Sequence, residues 1–173
     1  DKVAQALSAQ AQQAGVEVSV TRNGSRGMFW LEPLVEVETA QGRIAYGPVR
    51  ASDVASLFEA EFFKGGDHPL KLGLTEEIPF LKNQERLTFA RVGVIDPVSV
   101  ADYEAHGGWG GLRNALSLTQ ADIVAAVTAS GLRGRGGAAF PAGIKWQTVL
   151  KTENEQKYIV CNADEGDSGT FSD

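Results

Sequence analysis

Two stretches of this chain carry residue types at a spacing that suits ligand chemistry. The first, Gly134-Arg135-Gly136-Gly137-Ala138-Ala139, sets a guanidinium among glycines and is followed by Phe140 and Lys145. Adjacent glycines let backbone N–H groups converge on an anion, and Arg135 and Lys145 add positive charge, so a phosphate is the group such a loop suits. The second, Asn162-Ala163-Asp164-Glu165-Gly166-Asp167, puts an amide and three acids directly after the apolar run Lys157-Tyr158-Ile159-Val160-Cys161. Polar groups at the carboxyl end of a strand are where open α/β sheets hold ligands. These acceptors suit flavin-ring N–H groups or ribose hydroxyls.

Each stretch also has a plainer reading. Gly134 to Ala139 formally satisfies the G-x-G-x-x-G/A dinucleotide fingerprint, but that fingerprint must follow a strand, and the residues before this loop have the period of a helix. The Gly-Lys-Ser/Thr of a P-loop is missing. A turn whose glycines only satisfy positive φ stays open beside the phosphate cradle, as does a solvated turn over Asn162 to Asp167. An arginine-glycine nucleic-acid tail is disfavoured by a single short copy in a chain of net charge −6.

The elements that must position these groups form three parts. Residues 1–63 read as a helix over Val3–Ala14, an alternating strand over Val16–Arg22, a hairpin from Leu34–Thr39 to Arg43–Tyr46, and a helix with Val54, Leu57, Phe58 and Phe62 on its apolar face. Residues 64–88, with GGDHPLKLGL and Pro79, read as a connector. Residues 89–173 follow, with a strand near Leu87–Ile95 and short helices over Val98–Ala105 and Trp109–Leu116. Thr119 then caps a helix that Gly131 ends, the glycine loop comes next, and a buried strand spans Lys157–Cys161. The fold class is α+β for the first part and α/β for the last.

Hydrophobic residues make up 43% of the 173, enough for a core. Cys161 is the single cysteine, which excludes an internal disulfide and fits a reducing, cytoplasmic setting. No apolar run approaches the roughly 20 residues of a membrane span, and the N-terminus lacks the organisation of a signal peptide. With no initiator Met and a stop at GTFSD, the chain is expected to be a portion of a longer polypeptide, with missing function after Asp173.

Together "SGLRGRGGAAFPAGIKW" and "KYIVCNADEGDSGTF" closely resemble the NADH- and FMN-binding (51 kDa-type, diaphorase) subunit of respiratory complex I, NAD-reducing hydrogenases and NAD-dependent formate dehydrogenases. The upstream "GVIDPVSVADYEAHGGWGGLRNAL" resembles that family's lead-in, so the match runs from about Arg91. The resemblance implies a non-Rossmann-order flavin fold in which Gly134, Arg135, Gly136, Gly137 and Ala138 wrap the FMN phosphate and ribityl chain, with Lys145 near the flavin. It places Asn162, Asp164 and Glu165 on FMN, and Phe140, Glu165 and Asp167 near the NADH site, with Glu165 as the catalytic candidate. The implied activity is hydride transfer between NAD(H) and FMN, followed by single-electron transfer to iron–sulfur clusters. An acidic cluster around Glu165 would favour NAD over NADP.

Ala139 stands where the family usually has glycine, Asp167-Ser168 where it has Glu-Pro, and Thr148 where an aromatic is common. The Gly-Asp-Ser-Gly-Thr-Phe version resembles the β subunit of soluble molybdenum formate dehydrogenases, which implies iron–sulfur and molybdenum partner subunits. Alternatives are the diaphorase subunit of a hydrogenase or of complex I, and a non-catalytic docking module. The first 63 residues resemble a thioredoxin-like ferredoxin domain in which Arg22 and Arg26 occupy the places of cluster cysteines. Arginine cannot ligate iron, so no cluster is expected there. The family's 4Fe-4S ligands fall outside this segment, and no metal ligand is expected within it. His68 and His106 read as loop residues.

Overall fold

The computed structural model describes residues 2–135 and 137–160, so Gly136 and everything from Cys161 onward lie outside the described residues. It is a mixed α/β arrangement of helices with a small antiparallel sheet. The chain divides into two compact units, Asp1–Gly108 and Trp109–Asp173.

In the first unit, helix α1 (Lys2–Ala14) buries Leu7 and Ala11, one turn apart on the same face. It ends at Gly15, whose φ of +66° lets Val16 N–H reach the Ala11 carbonyl at 3.0 Å. Strands β1 (Val35–Thr39) and β2 (Gly42–Tyr46) form a hairpin in which Val35 faces Tyr46 and Val37 faces Ile44. Period-2 alternation sends these four into one core with Leu7, Ala11, Val54, Leu57, Phe58 and Phe62. The intervening Ala45 points to the opposite face, where Met28, Ile78 and Leu81 cover it. Helix α2 (Val54–Glu59) closes the first core, and the short helix α3 (Pro79–Lys82) supplies Leu81 to the second.

Four sequence expectations meet a different structure. Residues 64–88, read as a connector, contribute strand β3 (Lys71–Leu74), which pairs antiparallel with β2 through a bulge at Ala45/Tyr46. Four residues interrupted by Gly73 are too short for alternation to mark. Val16 and Val18 do pack against the first core, yet Val16–Arg22 joins no ladder. Alternation reports which side chains are buried; pairing depends on a neighbour's free edge. Leu87–Ile95 is a series of turns in which Gly93 has φ +75°. Its carbonyl accepts from Arg26 and Arg43, both at 3.3 Å, so side chains from distant positions set its path. Lys157–Val160, read as buried strand, lies in no strand and is exposed, with Ile159 at 99%.

Helix α4 (Val100–Ala105) completes the first unit, with the Ser99 hydroxyl accepting from Asp102 N–H as its cap. The second unit holds helices α5 (Gly110–Ala115), α6 (Gln120–Ala129) and α7 (Ala142–Lys151). Thr119 caps α6 as expected: its hydroxyl accepts from Asp122 N–H at 3.1 Å and donates to the Asp122 carboxylate at 2.6 Å.

Candidate functional site

The glycine loop joins the C-terminus of α6 to the N-terminus of α7. Gly131 leaves α6 with φ +68°, and the loop then folds back on itself as a narrow hairpin. Gly134 N–H donates to the Phe140 carbonyl at 2.9 Å, Ala142 N–H donates to the Leu132 carbonyl at 2.8 Å, and Arg133 forms an isolated bridge with Pro141. One side-chain bond crosses between the arms and a second lies within one of them. Arg133 Nη1 donates to the Ala139 carbonyl at 2.8 Å, and Arg135 Nη1 donates to the Arg133 carbonyl at 2.7 Å.

The candidate cradle residues therefore have different parts. Gly134 uses its N–H within the loop, so it shapes the backbone and offers no free donor there. Gly137 sits at the tip with φ +86°, and a Cβ added to it would meet no atom of the chain within 4 Å. Ala139 holds φ +49°, a left-handed backbone that favours glycine. That conformation supplies the physical reason glycine is usual at this position. Ala138 is exposed at the tip.

Lys145 and Phe140 come together although five positions separate them. The Lys145 ammonium lies 5.9 Å from the centroid of the Phe140 ring, within cation–π range. Helix α7, which carries Lys145, seats closely on α6. Gly143 is buried, and a Cβ there would lie 2.7 Å from the Thr128 Cα, so the two helices meet closely at this point. Thr128 is held by its own hydroxyl bond to the Val124 carbonyl at 2.7 Å. Pro141 precedes α7, leaving the N–H groups of Gly143 and Ile144 at the helix start without intrahelical partners. Thr148 turns its hydroxyl to the Ile144 carbonyl at 3.0 Å. Asn162, Asp164, Glu165, Asp167 and Gly136 lie outside the described residues.

The importance of Arg133, Thr128 and Gly143 was not legible beforehand. Arg133 reads as one more loop cation, and the Gly143–Thr128 apposition joins positions that no periodicity pairs. The other polar candidates resolve into structural roles. Arg26 is buried, pairs with Glu76 at 2.6 Å and packs so closely on Gly93 that a Cβ there would lie 2.5 Å from its Cγ. His68 Nδ1 accepts from Leu70 N–H at 3.1 Å, so Nε2 carries the proton and donates to Ser56 Oγ at 3.1 Å. That tautomer cannot deprotonate the serine. His106 pairs with Asp102 at the end of α4, at 3.0 Å. A cleft of about 1110 Å³ in the first unit is lined by Arg22, Asn23, Arg26 and the β1 valines, so volume and the glycine-loop chemistry do not coincide.

Comparison with known proteins bears on this loop directly. Residues 127–173 match the family model described as the Nuo51 FMN-binding domain. The chain is 54% identical over 86 residues to the NADP-reducing hydrogenase subunit HndC of Solidesulfovibrio fructosivorans, covering 50% of this chain and 18% of that protein. It is 49% identical over 90 residues to an NADH-quinone oxidoreductase subunit of Rhizobium meliloti, covering 51% and 21%. It is 48% identical over 62 residues to the NAD-reducing hydrogenase HoxS subunit alpha of Cupriavidus necator, covering 36% and 10%. The chain thus spans about a fifth or less of these relatives. The resemblance to the 51 kDa-type NADH- and FMN-binding family read from the two motifs stands, and with it the FMN and NAD(H) expectation; the relatives named here do not single out formate dehydrogenase.

Proposed function

We propose that the second unit is the opening part of an FMN- and NAD(H)-binding oxidoreductase domain, and that the hairpin-closed glycine loop is its phosphate cradle. One observation carries this reading most: residues 127–173, which include that loop, match an FMN-binding domain. The geometry suits it. The loop tip has room at Gly137, Arg135 and Lys145 supply positive charge, and the exposed Ile144 lies in the first turn of α7, where the helix dipole favours an anion. Bound FMN supplies two-electron exchange with a nicotinamide and one-electron exchange with iron–sulfur clusters.

The residues then divide the work. Arg135, Gly136, Gly137 and the α7 N-terminus would hold the phosphate. Lys145, braced on Phe140, keeps a positive charge beside the flavin, and Asn162, Asp164 and Glu165 orient the ring through their acceptors. Asp167 with Glu165 disfavours the extra phosphate of NADP. Within the family, the Gly166-Asp167-Ser168-Gly169 version supports the β subunit of an NAD-dependent molybdenum formate dehydrogenase, working in the cytoplasm with iron–sulfur and molybdenum subunits. The first unit is then a thioredoxin-like domain in which buried Arg26 serves structure in place of a cluster ligand.

Purified with its partner subunits, the full-length protein should contain FMN and reduce ferricyanide with NADH. Its Lys145→Ala and Glu165→Ala variants should lose flavin or NADH affinity about tenfold or more. A flavin-free wild type without this activity would establish the docking-module reading instead. Molybdenum in the purified complex supports the formate dehydrogenase assignment, and nickel overturns it.

A further inference from the structure

We propose that Arg133, which lies outside the set of cradle residues, is the positioning residue that holds the glycine loop closed and so presets it for the FMN phosphate. The proposal rests on the flavin reading above and adds a division of labour between the two loop arginines. The exposed Arg133 side chain spans the two arms of the loop: its Nη1 donates to the Ala139 carbonyl at 2.8 Å, and its backbone bridges Pro141. The two backbone bonds of the base, Gly134 N–H to Phe140 and Ala142 N–H to Leu132, flank the Arg133–Pro141 pair, whose own backbone groups exchange no bond, so the missing proline N–H costs nothing there. The Arg133 side chain adds a third tie between the two arms, nearer the tip.

Its target is the one non-glycine residue with positive φ among the described residues of this loop. Ala139 holds φ +49°, which a non-glycine residue adopts only when its surroundings enforce it. The guanidinium bond to the Ala139 carbonyl is a restraint of that kind. Arg133 in turn steers Arg135, whose Nη1 donates to the Arg133 carbonyl at 2.7 Å. One arginine thus fixes the arms of the hairpin, and the backbone oxygen of that same residue aims the second arginine, at the tip where the anion binds. Arg135→Ala should weaken FMN by removing a direct bond to the ligand; Arg133 variants should weaken it by letting the empty loop open.

Amide hydrogen exchange at Gly134, whose N–H bridges the loop base to Phe140, reads this difference with no cofactor present. In the flavin-depleted full-length protein, Arg133→Met should speed that exchange several-fold and raise the FMN dissociation constant about tenfold, the weight of one charge-assisted hydrogen bond. Arg133→Lys should recover most of both, and Arg135→Ala should weaken FMN without altering the exchange. The NADH KM of FMN-saturated Arg133→Met should match wild type. Weakened FMN with unchanged Gly134 exchange would make Arg133 a direct phosphate ligand and overturn the proposal. Wild type that takes up no FMN overturns the flavin reading and the proposal with it, whereas loss confined to the Arg133 variant leaves that reading standing.

Discussion

Replacing Gly143 with alanine tests the helix seam on which the placement of Lys145 depends. An added Cβ would lie 2.5 Å from Thr128 Oγ1, 2.7 Å from its Cα and 3.0 Å from its Cβ. Comfortable carbon–carbon separations are about 3.5–4.0 Å, so α7 must retreat from α6 by roughly 1 Å. Overpacking of this kind costs about 1–3 kcal/mol, while alanine in place of a helical glycine returns at most about 1 kcal/mol. The clash therefore outweighs propensity, and a net loss of about 1–2 kcal/mol is expected. In the full-length protein, amides of Val124 to Thr128 should exchange about 5–30-fold faster where opening is local to these helices. Adding Thr128→Ala removes the hydroxyl clash but leaves the backbone of residue 128 in the way, so less than half of the loss should return. FMN affinity should fall alongside, because the retreating helix carries Lys145. Exchange in Gly143→Ala equal to or slower than wild type would refute the reasoning, showing that the helix seam has room and that propensity wins.

Ala139→Gly relieves a left-handed cost of about 1–2 kcal/mol and gives back about 0.4–1 kcal/mol through the more flexible unfolded chain, so the unfolding free energy of the second unit from urea titration should rise by a net of roughly 0.5–1 kcal/mol. Burial holds the Tyr46 phenol above its ordinary value of 10.0, with the Lys71 ammonium opposing and Asp67 reinforcing that shift. Its stabilising contribution is therefore complete below pH 10.0 and declines as pH rises toward the folded value, because the unfolded chain ionises first. Tyr46→Phe should lose about 1 kcal/mol at neutral pH with the bond to the Gly66 carbonyl, and should flatten the alkaline decline in a stability-versus-pH series. In the Arg26–Glu76 pair the side chains are 4% and 71% exposed. Glu76→Ala, which leaves a buried guanidinium short of a partner, should destabilise the first unit more than Arg26→Met, which leaves a hydrated carboxylate; denaturation midpoints in the opposite order would contradict that burial asymmetry.

Sequence by itself determined whatever depends on neighbours along the chain. The cap at Thr119, the exit at Gly131, the Val35–Tyr46 hairpin and the buried Val54, Leu57 and Phe58 of α2 all follow from local geometry and burial period, and each is present, whereas the helix ends at Glu59 and Phe62 falls in a following 3-10 turn. The glycine loop was legible as a candidate too, because its glycines and cations stand close together in the chain. Tertiary structure alone decided the rest. A latent strand at Lys71–Leu74 exists because β2 has a free edge to offer it, while Val16–Arg22 keeps the alternation of a strand without a partner. Arg26 became a buried strut because Glu76 and Gly93, far along the chain, close around it. Helix α7 rests against Thr128 because Gly143 has no side chain to hold it off. Period and propensity record how each residue meets solvent and its chain neighbours, and these appositions arise between segments that only the folded chain brings together.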